Sequence, residues 1–193
     1  MEITTDILKQ LRDRTGLSVM QCKKALEETG GDIDKAEVVL KKRSSEAAEK
    51  KSDRDLGAGA VATYVHDGTI GAMVLLSCET DFVARNEEFP ALARDIAMHV
   101  SATDPKYLSE ADIAPEARDA ALAVFTEEVK DKPEEMREKI LSGKMDSYFR
   151  DQVLLNQPYI KDDSKTINDL VTEASQKFGE RVQVTQFARF SAR

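Results

Sequence analysis

Few side chains in this sequence have the type and spacing that covalent chemistry or metal binding requires. The chain has two histidines, His66 and His99, and no Cys or His lies near either one at a spacing typical of metal ligands. Cys78 precedes Glu79, and an acidic neighbour disfavours the thiolate that a nucleophilic cysteine needs. We therefore predict no metal and no cofactor, and we keep a thiol enzyme that uses Cys78 as one alternative.

The glycines offer no better case for nucleotide chemistry. Gly57 and Gly59 in DLGAGAV precede a predicted strand, whereas a phosphate-binding glycine loop follows one. The cations at 41–43 end a predicted helix, where positive charge is favoured by the helix dipole. Neither segment predicts a phosphate site.

Two clusters remain as candidate binding surfaces. Lys9 and Arg12 lie about one helical turn apart, and Met20 and Lys23 repeat that spacing further along the chain. The second cluster centres on Phe82, which follows a strand and precedes a helix, a position where recognition residues often lie. From the residues alone, the first cluster is also typical of solvated helix faces. Phe82 stays open between a core anchor and a partner contact.

The length and composition bound these hypotheses. The chain has 193 residues, of which 33% are charged, and its net charge is −8, which argues against a general nucleic-acid binder. The longest apolar run is far shorter than the roughly 20 residues of a membrane span. The first ten residues lack the pattern of a secretory signal, and two cysteines 56 positions apart are typical of a reducing compartment. We expect a globular cytoplasmic protein.

Capping residues and helical spacing predict three short helices at the start of the chain. Thr4 or Thr5 caps the first, Ser18 and Gln21 form the pattern of a capping box for the second, and Asp32 caps the third. Such short helices bury only a small core, so we expect a compact three-helix module at residues 1–43. The charged segment 44–57 is either a linker or an exposed helix.

From Ala58 the apolar period changes from helical spacing to alternation. Asp67-Gly68 separates two alternating runs and predicts a hairpin with a type I′ turn. The last alternating run, RVQVTQFARF, is expected to add a third strand. Between these runs, Asn86 is expected to cap a helix and Thr166 to begin another.

A pair of helices at 115–155, begun by Pro115 and Pro133, is expected to form a helical hairpin. Apolar residues of the first helix are expected to face those of the second: Leu122, Phe125 and Val129 against Met136, Ile140, Leu141, Met145 and Phe149. The sequence thus predicts an α+β fold, in which a small three-stranded antiparallel sheet packs with helices. The predicted domains are the three-helix module at 1–43, the segment 44–57, and a core domain at 58–193 that includes the hairpin.

Two long segments resemble signature sequences of the bacterial elongation factor Ts family. They are LRDRTGLSVMQCKKALEETGGD (Leu11–Asp32) and LSCETDFVARN (Leu76–Asn86). NQPYIKDDSKTINDL and VTQFARF also resemble the family's C-terminal part, so the resemblance covers essentially the whole chain. TDFVARN leads directly into IAMHVSATDPKYL, so the hairpin-and-helix body occurs once, as in the family's short form.

The resemblance implies a protein that carries out no covalent chemistry but promotes GDP release from elongation factor Tu. It further implies that the three-helix module, similar to a ubiquitin-associated domain, docks on the GTPase, and that Phe82 enters beside the partner's magnesium site. Val19 stands where the family often has Met. The residues that the resemblance assigns to partner binding are Lys9, Arg12, Met20, Lys23, Thr80, Asp81, Phe82 and Val83.

The resemblance also implies a partner arrangement. In the family's short forms two chains supply what one long chain contains, so a homodimer is expected, and the hairpin at 115–155 resembles the family's coiled-coil excursion. No direct nucleic-acid or membrane partner is expected. The alternative outside this function is a dimeric helical interaction protein without exchange activity.

Overall fold

The structure is a computed structural model that describes residues 3–192. These residues form eight α-helices and five strands, which confirms the predicted α+β class. The helices are α1 (Thr5–Thr15), α2 (Val19–Glu28), α3 (Ile33–Glu49), α4 (Asp81–Ala84), α5 (Glu88–Thr103), α6 (Pro115–Val129), α7 (Glu134–Arg150) and α8 (Ile167–Phe178). The strands are β1 (Ala58–His66), β2 (Ile70–Cys78), β3 (Pro158–Tyr159), β4 (Asp162–Thr166) and β5 (Val182–Ser191).

The first three helices begin at the predicted capping residues. The Thr4 hydroxyl accepts a hydrogen bond from the Ile7 N–H, and Asp32 accepts one from Lys35. Ser18 and Gln21 form both hydrogen bonds of a capping box. The three helices enclose a small apolar core, whose fully buried members are Leu11, Leu17, Cys22, Ala25, Leu26, Ala36 and Leu40.

The first part of the charged segment 44–57 is helical. Helix α3 continues to Glu49, and Ser44 is buried with its hydroxyl donating to the Leu40 carbonyl. Of the two alternatives for this segment, a linker or an exposed helix, residues 44–49 are therefore helical. Beyond the helix end, Lys51 donates to the Ser175 carbonyl at 2.9 Å, so the first helical module is tied to α8.

Three strands form an antiparallel sheet in the order β1-β2-β5, as the sequence predicted. Asp67 and Gly68 have φ values of 48° and 67°, and this pair of positive φ angles is that of a type I′ turn. Four alternate residues of β2 are buried: Ala72, Val74, Leu76 and Cys78. The opposite side chain at Met73 is exposed.

Two features of the remaining chain differ from expectation. Leu122 and Met136, two of the residues expected to face the opposite helix of the α6–α7 hairpin, are both exposed, whereas Val129 and Phe149 from the same set are buried as expected. The buried side of α6 instead follows an i, i+4 stripe through Ala117, Ala121 and Phe125, which packs with Phe149. The short β3–β4 pair, which is polar and only two residues long on one side, was not predicted from the sequence.

By internal contacts the chain forms two compact units. The first comprises the residues up to Val61, Leu75–Ala93 and Asp169–Val184; the second comprises Ala62–Val74, Arg94–Asn168 and the chain from Thr185 onward. All the residues predicted to bind a partner belong to the first unit. Within residues 3–192, no helix has both the length and the apolar character to cross a bilayer.

Candidate partner-binding surface

Phe82 lies on the single-turn helix α4, immediately after strand β2. Its side chain is 83% exposed, whereas the neighbouring Val83 is 4% exposed. Because Val83 occupies the inward direction of this turn, Phe82 projects outward. The structure therefore decides between the two interpretations that the sequence left open: Phe82 is not part of the core.

The turn before Phe82 is held by a carboxylate from a distant part of the chain. One oxygen of Glu180 accepts the N–H groups of Glu79 and Thr80 at 3.1 and 3.0 Å. Its other oxygen accepts the Thr80 hydroxyl at 2.5 Å. The Thr80 side chain makes no capping bond to α4, because its hydroxyl points to Glu180. Three donors at the base of the turn thus share one acceptor group.

Asp81 is exposed at the start of α4 and forms an ion pair with Arg85 at 3.0 Å. Both side chains are more than two-thirds exposed, so this pair contributes little to stability. Asp81 is therefore accessible to solvent beside Phe82. Val83 is buried, so any role it has in partner binding is indirect, through support of the turn.

The candidate residues of the helical module are exposed on α1 and α2. Met20 is 81% exposed and follows the cap of α2, next to the partly exposed Val19. Lys23 lies one turn further and is 3.9 Å from Glu27. Lys9 and Arg12 are exposed on α1 and form no ion pair with any residue between 3 and 192. These side chains are therefore accessible to solvent on the helical module.

The structure argues against the thiol alternative. Cys78 is buried, its Sγ lies 3.2 Å from the Thr80 carbonyl, and burial raises the pKa of the thiol, with the Glu180 charge adding to the effect. A thiol held protonated and away from solvent is a poor nucleophile. Across the described part of the chain, no three His, Cys, Asp or Glu side chains are arranged to hold a metal ion.

The two histidines have structural surroundings. His99 is buried, and its ring contacts Gln157 at 2.9 Å and the Ile160 N–H at 3.3 Å. His66 lies beside the hairpin turn, with its Nδ1 3.2 Å from the Tyr64 hydroxyl. Neither arrangement provides a base next to a nucleophile.

Sequence reasoning missed the residues that hold the turn. Glu180 and Arg181 lie about one hundred positions from the segment that they bind, and Arg54 lies 25 positions from Glu79. No local spacing pattern connects such positions. The only sequence signal was an acid directly after a helix-ending glycine, and that is common.

Comparison with known proteins decides the family. Residues 43–193 match the model of the family described as Elongation factor TS. This chain belongs to the elongation factor Ts family. It is 44% identical to Elongation factor Ts of Thermodesulfovibrio yellowstonii over 191 residues, which are 98% of this chain and 96% of that relative.

Other relatives show the same extent of similarity. The identity to Elongation factor Ts of Thermotoga petrophila is 43% over 191 residues, covering 98% of this chain and 96% of the relative. For the Anaeromyxobacter relative it is 43% over 192 residues, covering 98% of this chain and 88% of the relative. These matches extend across the helical module that precedes residue 43, so that module is shared with the relatives. The chain has the short form of the family.

Proposed function

We propose that this protein is a guanine-nucleotide exchange factor for elongation factor Tu in translation elongation. Its relatives carry the name Elongation factor Ts, and it belongs to their family. The observation that carries the proposal is Phe82, 83% exposed on a turn whose backbone donors are satisfied. The protein acts by binding in the cytoplasm, without a cofactor or a covalent step.

Phe82 is the residue that enters the partner in this proposal. A phenylalanine in water loses the free energy that burial would provide, up to about 3 kcal/mol for a full side chain. Here the turn keeps that free energy available for a partner. We propose that the ring inserts beside the phosphate and magnesium site of the GTPase, where a displaced ion weakens the hold on GDP because it bridges protein ligands and phosphate oxygens.

The energetic demand on such a contact is moderate. Exchange requires that factor and nucleotide weaken each other's binding, and this coupling is reciprocal. Weakening GDP binding a thousandfold needs about 4 kcal/mol of coupling. Burial of Phe82 supplies most of that amount, and a docked helical module supplies further binding free energy.

The helical module gives the second part of the contact. We propose that Lys9, Arg12, Met20 and Lys23 dock on the nucleotide domain of the GTPase. Exposed cations steer association with an acidic surface, and the exposed Met20 provides an apolar anchor. Thr80 and Asp81 then contact the partner beside Phe82, whereas Val83 supports the turn from within.

We further propose a homodimer through the open face of the sheet. Phe190 is 76% exposed and Val65 is 64% exposed, and Met73 is also exposed. A Cβ at Gly71 would lie 3.8 Å from the Val65 side chain, which places Val65 on the face of Gly71 and Met73. The Ala192 N–H donates to the Thr69 carbonyl, and this register brings Phe190 to the same face.

The function is tested by GDP release from purified elongation factor Tu. The GTPase is loaded with a fluorescent GDP analogue, and this protein is added at one-twentieth of its concentration with excess unlabelled GDP. The proposal predicts that the whole GDP pool exchanges rapidly, since each factor molecule acts many times. Binding to the GTPase with an unchanged GDP release rate would support the interaction protein without exchange activity and reject the proposal.

A further inference from the structure

The end of strand β2 presents backbone donors that the sheet does not satisfy. The N–H groups of Glu79 and Thr80 follow the last strand residue and precede α4, and unpaired backbone donors are costly where water is restricted. The carboxylate of Glu180 accepts both at about 3 Å, together with the Thr80 hydroxyl. A single side chain from the segment before β5 therefore completes the base of the Phe82 turn.

Glu79 makes the reciprocal contact. Its carboxylate accepts the Arg181 N–H at 2.5 Å and the Arg54 guanidinium at 3.1 and 3.3 Å. Each acid thus binds the backbone of the segment that carries the other. We call Glu79 and Glu180 the carboxylate clamp. The Arg181 N–H and the Arg54 charge hold the pKa of Glu79 below its usual value, so it is ionised at neutral pH.

The clamp determines how Phe82 is presented. Phe82 lies two residues beyond Thr80, on a helix of a single turn that has little stability of its own. Without an acceptor at Glu180, three donors lose their partner at once. The turn would then sample conformations in which the ring lies against the protein surface. A residue that is already held in its bound conformation loses less entropy on binding.

We infer that Glu180 is a positioning residue for nucleotide exchange, which holds the Glu79–Thr80 backbone so that Phe82 is presented to the GTPase. This inference rests on the proposed function. Glu180 acts through Phe82 and makes no contact with nucleotide.

The chemistry of the clamp supplies a conservative variant. In Glu180→Gln the amide oxygen can still accept hydrogen bonds from the two backbone N–H groups. The Thr80 hydroxyl can act as an acceptor as well as a donor, so it can accept a hydrogen bond from the amide N–H₂. Glu180→Ala removes all three acceptor contacts. Glu138→Ala, at an exposed glutamate on α7 in the second unit, is the matched control.

The test measures the GDP release rate from elongation factor Tu over a range of factor concentrations. We expect Glu180→Ala to lower the maximal release rate about tenfold, as for lost hydrogen bonds to a charged group. We expect the concentration for half-maximal rate to change much less. Glu180→Gln should stay within about twofold of the unmodified protein, and Glu138→Ala should match it. A maximal rate unchanged by Glu180→Ala in a folded sample would overturn the inference.

A double mutant separates positioning from general destabilisation. If Glu180 acts through Phe82, Glu180→Ala should have almost no further effect on the release rate in a Phe82→Ala background. The effects of two substitutions are not additive when one residue acts through the other. An equal loss in both backgrounds would show that Glu180 acts elsewhere and would overturn the inference.

Amide hydrogen exchange tests the role of Glu180 separately from the proposed exchange function. The amides of Glu79 and Thr80 should exchange faster in Glu180→Ala, with unchanged protection in α2, and this result needs no GTPase. Unchanged protection of the two amides would overturn the clamp itself. If the unmodified protein does not accelerate GDP release from elongation factor Tu, and the amides exchange faster in the variant, the proposed function is rejected and the clamp remains as a structural feature only.

Discussion

The adjacent side chains of Phe82 and Val83 point in different directions, Phe82 into solvent and Val83 into the core. Val83 is buried and fixes the turn, and Phe82 is exposed in consequence. The same division occurs at the cap of α2, where Ser18 bonds the helix and Met20 is left in solvent. At the scale of single residues, Phe82 and Met20 are each exposed beside a residue that anchors the backbone.

The buried His99 gives a prediction about pH. Its Nδ1 accepts the Ile160 N–H, and its Nε2 lies 2.9 Å from the Gln157 oxygen, which fixes the neutral form with the proton on Nε2. Burial lowers the pKa of His99, so the unfolded chain binds the proton first as the pH falls. We expect stability to fall below about pH 6.5, with a slope of at most about 1.4 kcal/mol per pH unit.

Urea unfolding at pH 7.5 and pH 5.5 checks this prediction. His99→Gln, which keeps a donor toward Gln157, should be less stable at pH 7.5 but lose less stability on acidification. His66→Gln is the control, because His66 is exposed and is the only other histidine of the chain. A full loss of stability on acidification in His99→Gln would show that another group is responsible.

The elements of the fold follow from two kinds of local constraint, caps and close approaches. Gly59 illustrates the second: a Cβ there would lie 2.6 Å from the Leu76 carbonyl oxygen and 3.1 Å from the Ser77 Cα. Only a glycine lets β1 approach the backbone of β2 this closely. The close packing of β1 on β2 thus explains the glycine at position 59, which does not belong to a phosphate-binding loop.

Gly59→Ala should therefore destabilise the protein by about 1–3 kcal/mol, as overpacking does. Gly143→Ala is the opposite case, since no atom lies within 4 Å of a Cβ there and the residue is inside α7. That variant should gain roughly 0.5–1 kcal/mol. Thermal unfolding of both variants measures the difference, and equal effects at the two positions would contradict the geometry of β1 against β2.

The sequence predicted correctly those elements that are determined by residues close together in the chain. The capping box at Ser18 and the type I′ turn at Asp67 each lie within four residues, and both are confirmed. The prediction for α6 was right for Phe125 and Val129 and wrong for Leu122, because apolar residues are spread around this helix. Ala121 is buried and Leu122 is exposed. The β3–β4 pair was missed because its strand DDSKT has no apolar alternation.

At the scale of the whole chain, charge is distributed unevenly. Residues 1–54 carry 12 basic and 11 acidic side chains, and the remaining residues carry 16 and 25. The helical module is held to the rest of its unit by Lys41 to Asp169 at 2.8 Å and by Lys51 to the Ser175 carbonyl. Because Arg54 also binds Glu79, a truncation at residue 54 would disturb the Phe82 turn.

Docking by the module is better tested by surface substitutions than by truncation. Lys9→Ala combined with Arg12→Ala should raise the factor concentration for half-maximal GDP release by about fivefold, mainly through slower association. The maximal rate should be unchanged. A double substitution at Lys42 and Lys50, two exposed lysines of α3 and its end, is the control. An unchanged half-maximal concentration would remove α1 from the interface.

The proposed dimer has its own test. Phe190→Lys places a charge in the open sheet face and should convert the protein to monomers. Sedimentation equilibrium should give twice the 21.5 kDa chain mass for the unmodified protein and the single mass for this variant. Val124→Lys, on the exposed side of α6, should leave the dimer intact. A monomeric unmodified protein at micromolar concentration would reject the dimer.

Contacts between residues that are far apart in the chain cannot be predicted from local sequence patterns. The turn that carries Phe82 is bound by Glu180, about one hundred residues away, and Val83 lies on its inward side. Neither follows from the spacing in TDFVARN. The resemblance supplied the candidate residues, and the structure supplies the physical reason that one of them is exposed.

Phe82 is proposed to drive GDP release, and a stopped-flow measurement of that release at saturating factor tests this role. Phe82→Ala should lower the maximal release rate by about a hundredfold, because full burial of a phenylalanine provides up to about 3 kcal/mol. Its thermal midpoint should stay within about 2 °C of the unmodified protein, since the side chain is exposed. Val124→Ala serves as the exposed apolar control. A Phe82→Ala variant with an unchanged release rate would show that Phe82 does not drive GDP release.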